Sequence, residues 1–169
     1  NIVKKNKTPF YLYSSKQIKE NYINFSKIFK NVNPLICFAV KANTNLTIMK
    51  ILGKLGSGAD VVSGGELLKA LKAGIKPNKI VFSGVGKTEE ELELAIKKKI
   101  LLINVESESE AILINKIGRK VNKIISIGFR INPNVDAKTH KKISTGKAEN
   151  KFGLSIKNFF NFSKNINQY

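Results

Sequence analysis

Strand-length apolar runs alternate with helix-length amphipathic stretches along almost the whole chain, and that alternation limits the fold more than any single motif. Phe10-Tyr11-Leu12-Tyr13 reads as a strand after the Thr8-Pro9 break. Ser15 to Phe29 carries Ile18, Tyr22, Phe25, Ile28 and Phe29 at helical spacing. Leu35 to Val40 is an unbroken apolar run, as in a strand buried on both faces. A helix is expected over Asn45 to Leu55, a strand over Gly58 to Val62, and a helix over Gly65 to Ala73 closed by Gly74 as a C′ glycine. Lys79 to Ser83 reads as a strand, and Thr88 with Glu91 has the spacing of a capping box. Ile100 to Val105 is the next strand, followed by a helix opened by Ser107 with Glu110 in the matching place. Lys123 to Ile131 is a strand, Asn132 to Lys151 a long polar loop, and Ser155 to Asn165 a further helix. A repeat of roughly 20–25 residues with short connections calls for parallel strands joined by crossover helices. The candidates are a doubly wound sheet and a (β/α)8 barrel. No Gly-x-Gly-x-x-Gly follows a strand, which counts against a dinucleotide-binding fold.

Composition narrows the functional classes. The 169 residues suffice for one domain with a core, and no apolar run approaches the roughly 18 residues that span a bilayer. One histidine, His140, and one cysteine, Cys37, exclude an intrachain disulfide and argue against a Cys/His zinc site. No metal is expected. Cys37 lies in an apolar strand and reads as a core residue. The N-terminus is too short and polar for a secretory signal, so a reducing cytoplasm is expected. The net charge of +18 invites a nucleic-acid reading. Only Arg119 and Arg130 are arginine, however, and the lysines are spread over several helix faces rather than gathered in a patch. Solvated helix surfaces account for the charge, and neither a nucleic-acid nor a membrane partner is expected.

In a parallel α/β fold the chemistry gathers at the C-terminal ends of strands. Four such ends are distinctive: Val40-Lys41-Ala42-Asn43, Asp60 to Glu66, Ser83-Gly84-Val85-Gly86-Lys87, and Arg130-Ile131-Asn132-Pro133. Lys41 directly follows six apolar residues. Desolvation there would lower its pKa and ready the amine for Schiff-base chemistry. By spacing alone, a lysine snorkelling to solvent is the better account.

The surrounding segments resemble one family. Phe38-Ala39-Val40-Lys41-Ala42-Asn43 is similar to the pyridoxal phosphate (PLP) lysine motif of the diaminopimelate, ornithine and arginine decarboxylases. Gly58 to Glu66, Val81 to Thr88, and Arg130 to Asp136 continuing through Thr139-His140, Ile143 to Gly146 and Asn150 to Gly153 resemble the diaminopimelate branch. The resemblance runs from about Thr8 to Leu154. It implies a PLP-binding (β/α)8 TIM barrel, of which about five of eight strands are present, and a C-terminal β-domain that is absent. Residues 1–14 would be a lead-in strand that pairs with that β-domain, and residues 15–169 the N-terminal part of the barrel.

By the same resemblance the reaction is PLP-dependent decarboxylation of meso-diaminopimelate to lysine, with PLP held on Lys41 as a Schiff base and a homodimer as the complete enzyme. Asp60 matches a carboxylate near the cofactor lysine; it could equally make a local turn bond. Arg130 matches an arginine under the cofactor; it could equally form an ion pair with Asp60 or Glu66. The Ser83–Lys87 loop reads as cofactor-pocket wall. His140, Ser144, Thr145 and Gly146 would lie in a loop at the mouth of the site, where a histidine can also be merely solvated. A chain ending after five strands is expected to have open sheet edges, to be poorly soluble or only partly folded, and to bind PLP weakly if at all. Two other readings stay open: a different PLP decarboxylase or racemase of this fold, and a basic binding module without catalytic activity.

Overall fold

The structure, a computed structural model, describes residues 2–135 and 152–165. A short helix α1 (Ile2–Lys5) and a helix α2 (Ser15–Ile28) precede the sheet. Then come β1 (Cys37–Ala39), a 3-10 turn over Val40–Ala42, α3 (Leu46–Lys54), β2 (Gly58–Val61) and α4 (Gly64–Lys72). A second 3-10 turn (Pro77–Lys79) leads into β3 (Ile80–Phe82), α5 (Glu89–Lys98), β4 (Leu102–Val105) and α6 (Glu108–Lys120). The chain continues through β5 (Ile127–Phe129), β6 (Ile131–Asn132), β7 (Leu154–Ser155) and α7 (Ile156–Asn165). Strands β1 to β5 form one parallel sheet in chain order, with each strand beside the one before it. This is five consecutive β/α units of a barrel. A separate two-stranded parallel ladder pairs Ile131 with Leu154 and Asn132 with Ser155. No helix among the described residues is long and apolar enough to cross a membrane.

Local chemistry sets the helix starts. Asn45, Ser63, Thr88 and Ser107 each accept a backbone N–H from the first turn of the helix that follows. Thr88 and Glu91 form the full capping box. Glu91 Oε1 also accepts from Gly64 N at 2.7 Å, which ties α5 to the start of α4. The Ser107 box is half built, because Glu110 turns its carboxylate to the Glu106 N–H and to Lys87 instead. Gly74 follows α4 with φ +88°, the left-handed conformation expected at C′.

The core lies between the sheet and the helices. Residues paired in parallel register point to the same face. Ala59, Val61, Ile80, Phe82, Ile103 and Val105 point to the helices and are all but fully buried. Leu67, Leu92 and Ile114 meet them from α4, α5 and α6. Burying a side chain of this size contributes about 1.5–3 kcal/mol. At the β5 edge Phe129 packs on Phe159 and Phe162 of α7, with ring centroids 5.4 and 5.7 Å apart.

Two expectations fail here. Phe10 to Tyr13 is not a strand; the segment is exposed, with Tyr11 at 91%. It has strand-forming residues but no neighbouring strand, and a strand without a ladder is not stable. Leu35 to Val40 is not buried on both faces. Only Cys37–Ala39 is strand, Leu35 is exposed, and among the described residues only the helix side of the sheet is covered.

Candidate functional site

Among the described residues the helices pack on one face of the sheet, and alternate residues of each strand point to the other. Going across, these are Ala39 on β1, Asp60 on β2, Val81 and then Ser83 past the end of β3, Asn104 on β4 with Glu106 after it, and Gly128 on β5 with Arg130 after it. The polar members all sit at the C-terminal ends of the strands, where a parallel sheet carries its chemistry.

Lys41 stands at that rim. It lies in the turn Val40–Ala42, one residue after the wholly buried Val40. The turn packs against β2. Its side chain is exposed, so the desolvation expected from the apolar run before it is not met. Val40 is fixed in the core, and the 3-10 turn that follows leaves Lys41 exposed.

Asp60 is half-buried and its carboxylate is not in a local turn bond. Ser83 Oγ donates to Asp60 Oδ1 at 2.6 Å, and Asn104 Nδ2 donates to Ser83 Oγ at 3.0 Å. The negative charge of Asp60 is felt on β1. Burial first, and then Asp60, push the Cys37 thiol above its ordinary value, partly offset by Lys79. Cys37 is half-buried and points to the open face, so it is not the closed core residue expected of it.

Arg130 is at the far edge, separated from β1 by β2, β3 and β4. Its partner is neither Asp60 nor Glu66. Arg130 Nη1 lies 3.1 Å from Oε1 of the buried Glu106, and the guanidinium stacks 5.3 Å from the centroid of the Phe152 ring. The reason is register: Arg130 and Glu106 directly follow the paired residues Phe129 and Val105. Glu66 instead accepts from the Val62 N–H at 2.9 Å. Beneath Arg130, the Leu154 N–H donates to its carbonyl, and Gly153 (φ +79°) packs so closely that a Cβ would lie 2.6 Å from that oxygen.

The Ser83–Lys87 loop does not offer a cation. Lys87 Nζ donates to Glu110 at 2.7 Å, to the Asn104 carbonyl at 2.7 Å and to the Gly84 carbonyl, with 1% of its side chain exposed. His140, Ser144, Thr145 and Gly146 lie outside the described residues. A groove of about 740 Å³ between α6 and Phe162 lies on the helix side of β5, away from the strand ends.

The sequence reading places Lys41 and Asp60 on neighbouring strands at one rim, as they are found. It misses Asn104, Glu106 and the diversion of Glu110. Counting every second residue outward from the buried ones would have put Ser83, Asn104, Glu106 and Arg130 on one face.

The donor set fits an aldehyde cofactor at its reactive end. An exposed lysine lies on the turn after β1, and the neighbouring strand carries a carboxylate held by Ser83. Among the described residues, Lys87 and Arg130 are both engaged with carboxylates, so neither is a ready phosphate cradle.

Residues 15–168 match the family described as "Pyridoxal-dependent decarboxylase, pyridoxal binding domain". A diaminopimelate decarboxylase of Helicobacter pylori is 56% identical over 151 residues, 89% of this chain and 37% of the relative. The chain therefore spans little more than a third of the length of that relative. The crystal structure of a Helicobacter pylori diaminopimelate decarboxylase complexed with L-lysine superposes with a TM-score of 0.92 at 51% identity, covering 95% of this chain and 41% of that one. An arginine decarboxylase of a Paramecium bursaria Chlorella virus, 22% identical, matches with a TM-score of 0.79 over 99% of this chain and 42% of that one, a likeness of fold alone.

Proposed function

Because the chain belongs to the pyridoxal-dependent decarboxylases, as their pyridoxal-binding domain, we propose that it serves the decarboxylation of meso-diaminopimelate to lysine, with Lys41 as the residue that takes pyridoxal phosphate. The observation that carries this is the position of Lys41, on a tight turn at the C-terminal rim of a parallel sheet beside the half-buried Asp60. L-lysine, the product of that reaction, is the ligand of the Helicobacter pylori relative. The arginine-type alternative has only the shared fold behind it, at 22% identity against 51%. An amino-acid substrate and a homodimeric complete enzyme go with the proposed reading.

When bound, pyridoxal phosphate supplies a ring that accepts the electron pair left as a carboxylate departs as CO₂. The residues of this chain do the rest. Lys41 would supply the nitrogen that holds the aldehyde carbon. Asp60, in register with Ala39 two residues before Lys41, would supply a carboxylate from the neighbouring strand. The helix-facing side chains, from Ala59 to Val105, keep the sheet rigid behind both groups. Arg130, held by Glu106 and Phe152, faces the same side and bounds the site at the β5 edge.

The test is pyridoxal phosphate uptake by the full chain. A Schiff-base absorbance band is expected, stable to dialysis and lost in Lys41→Ala. Equal uptake by the two proteins sinks the assignment. In the protein that carries this chain, CO₂ release from meso-diaminopimelate but not from lysine, ornithine or arginine identifies the substrate.

A further inference from the structure

Asp60, Ser83 and Asn104 stand in one row across β2, β3 and β4, on the face that the helices leave open. Asn104 Nδ2 donates to Ser83 Oγ, and Ser83 Oγ is 2.6 Å from Asp60 Oδ1. A hydroxyl has one proton. With Asn104 donating to its oxygen, Ser83 gives that proton to Asp60, so the row has a direction and ends on an acceptor. The short final bond is of the kind made to an ionised carboxylate.

Both upstream members are held from behind. Gly128 on β5 leaves room for the Asn104 amide; a Cβ there would lie 3.0 Å from Asn104 Oδ1. Lys87 Nζ bonds the carbonyl of Asn104 and the carbonyl of Gly84, the residue after Ser83. One buried ammonium therefore ties together the two strand ends that carry Ser83 and Asn104. The downstream end of the row lies one strand away from the Lys41 turn: Asp60 is in register with Ala39, two residues before Lys41, and β2 packs on the turn Val40–Ala42.

We propose that Ser83 and Asn104 are positioning residues that fix the Asp60 carboxylate as a charged acceptor at the strand end beside Lys41, and that capture of pyridoxal phosphate at Lys41 depends on that fixed charge. The proposal rests on Lys41 being the cofactor lysine. Capture joins the Lys41 nitrogen to the aldehyde carbon, and the aldehyde oxygen leaves as water with two protons from the ammonium. The remaining proton keeps the nitrogen positive, and a carboxylate held in place stabilises that charge without first having to be ordered. An Asp60 free to rotate into solvent would do so less well.

The experiment mixes the full chain with a concentration series of pyridoxal phosphate, fixes the C=N bond with borohydride and reads labelled Lys41 by mass spectrometry. Site resolution is needed because 28 of the 30 basic residues are lysine. Asp60→Asn and Ser83→Ala are each expected to raise the concentration for half-labelling about tenfold, the worth of one bond to a charged group. The double variant should be no worse than the weaker single, because both remove the same fixed charge. Asn104→Ala, with Ser83 and Asp60 intact, should move half-labelling the same way. Ser83→Thr, which keeps the hydroxyl, should label like the unaltered chain. If Ser83→Ala and Asn104→Ala both label like the unaltered chain while Asp60→Asn does not, the positioning role is overturned and the cofactor lysine stands. If Lys41 of the unaltered chain labels no better than its other lysines, the cofactor reading is overturned and the proposal falls with it.

Discussion

Lys87 has a long cationic side chain of which 1% meets solvent, and all three of its ammonium protons are taken by Glu110 and two backbone carbonyls. Removing one partner of such a pair leaves the other charge poorly compensated, at a cost of about 3–5 kcal/mol. Lys87→Met is therefore expected to lower stability by about 3 kcal/mol in urea unfolding, the low end because Glu110 keeps the Glu106 N–H. Lys87→Met with Glu110→Gln should recover part of that loss, since no charge is then left behind. A Lys87→Met chain as stable as the original would mean that the pair is replaceable by packing. In the sequence Lys87 reads as one more glycine-loop lysine. Its partner Glu110 is visible only as half of a capping box, and the two come together across 23 positions that no local pattern links. Lys41 and Asp60 were legible as positions near strand ends, one two residues past β1 and one at the penultimate place of β2, while a role for Lys41 came only from the family resemblance. Arg130 was legible as a strand-end group, but its partner was not, since choosing Glu106 over Asp60 requires the strand order.

At the scale of elements, α5 and α6 are joined by Glu93. Its carboxylate accepts from Lys120 of α6 at 3.0 Å and from Lys97 of its own helix at 3.5 Å. The Lys120 bond and charge, then Lys97, hold Glu93 below its ordinary 4.5. The same contact raises Lys120 above 10.5. A depressed carboxylate stabilises the fold above its unfolded value, and that contribution is lost as pH falls through the folded value. A raised lysine contributes below its unfolded value and loses the contribution as pH rises through the folded one. Glu93→Gln should thus weaken thermal stability slightly at neutral pH and low salt, and the difference from the parent should shrink as the pH falls below the ordinary carboxylate range. A difference that does not change with pH would place the effect in packing rather than charge. The groups are exposed, so the effect is small and screened. Helices were the legible elements, since their caps at Asn45, Ser63, Thr88 and Ser107 are local chemistry. Strands were read too long at β1, β4 and β5, because apolar residues continue beyond the ladder and the ladder itself is a contact between distant residues.

For the molecule as a whole, charge and openness are the main terms. A net charge of +18 repels itself, and the few surface pairs return little. Going from about 0.01 to 0.15 M salt shortens the screening length from about 30 to 8 Å. The thermal midpoint followed by circular dichroism should rise with salt. A fall would show that attractive pairs outweigh the repulsion. The alternation made the five strands parallel but left a doubly wound sheet and a barrel both open; the resemblance to the decarboxylases chose the barrel, in which the strands run in chain order as they are found. That among the described residues only one side of the sheet is covered could not be read from apolar runs, which look alike on a one-sided and a two-sided sheet.

The sheet divides its residues by parity. On β2 the odd positions Ala59 and Val61 go to the helices and Asp60 to the rim; on β4 Ile103 and Val105 go in and Asn104 out. Fold and chemistry are thus written on interleaved letters of one text. Point substitutions can rewrite the outward letters and leave the inward ones intact, so a lineage of such chains can drift in what it handles while staying folded. A single inserted or deleted residue within a strand has no such freedom, because beyond it every inward letter becomes an outward one and both messages are lost together.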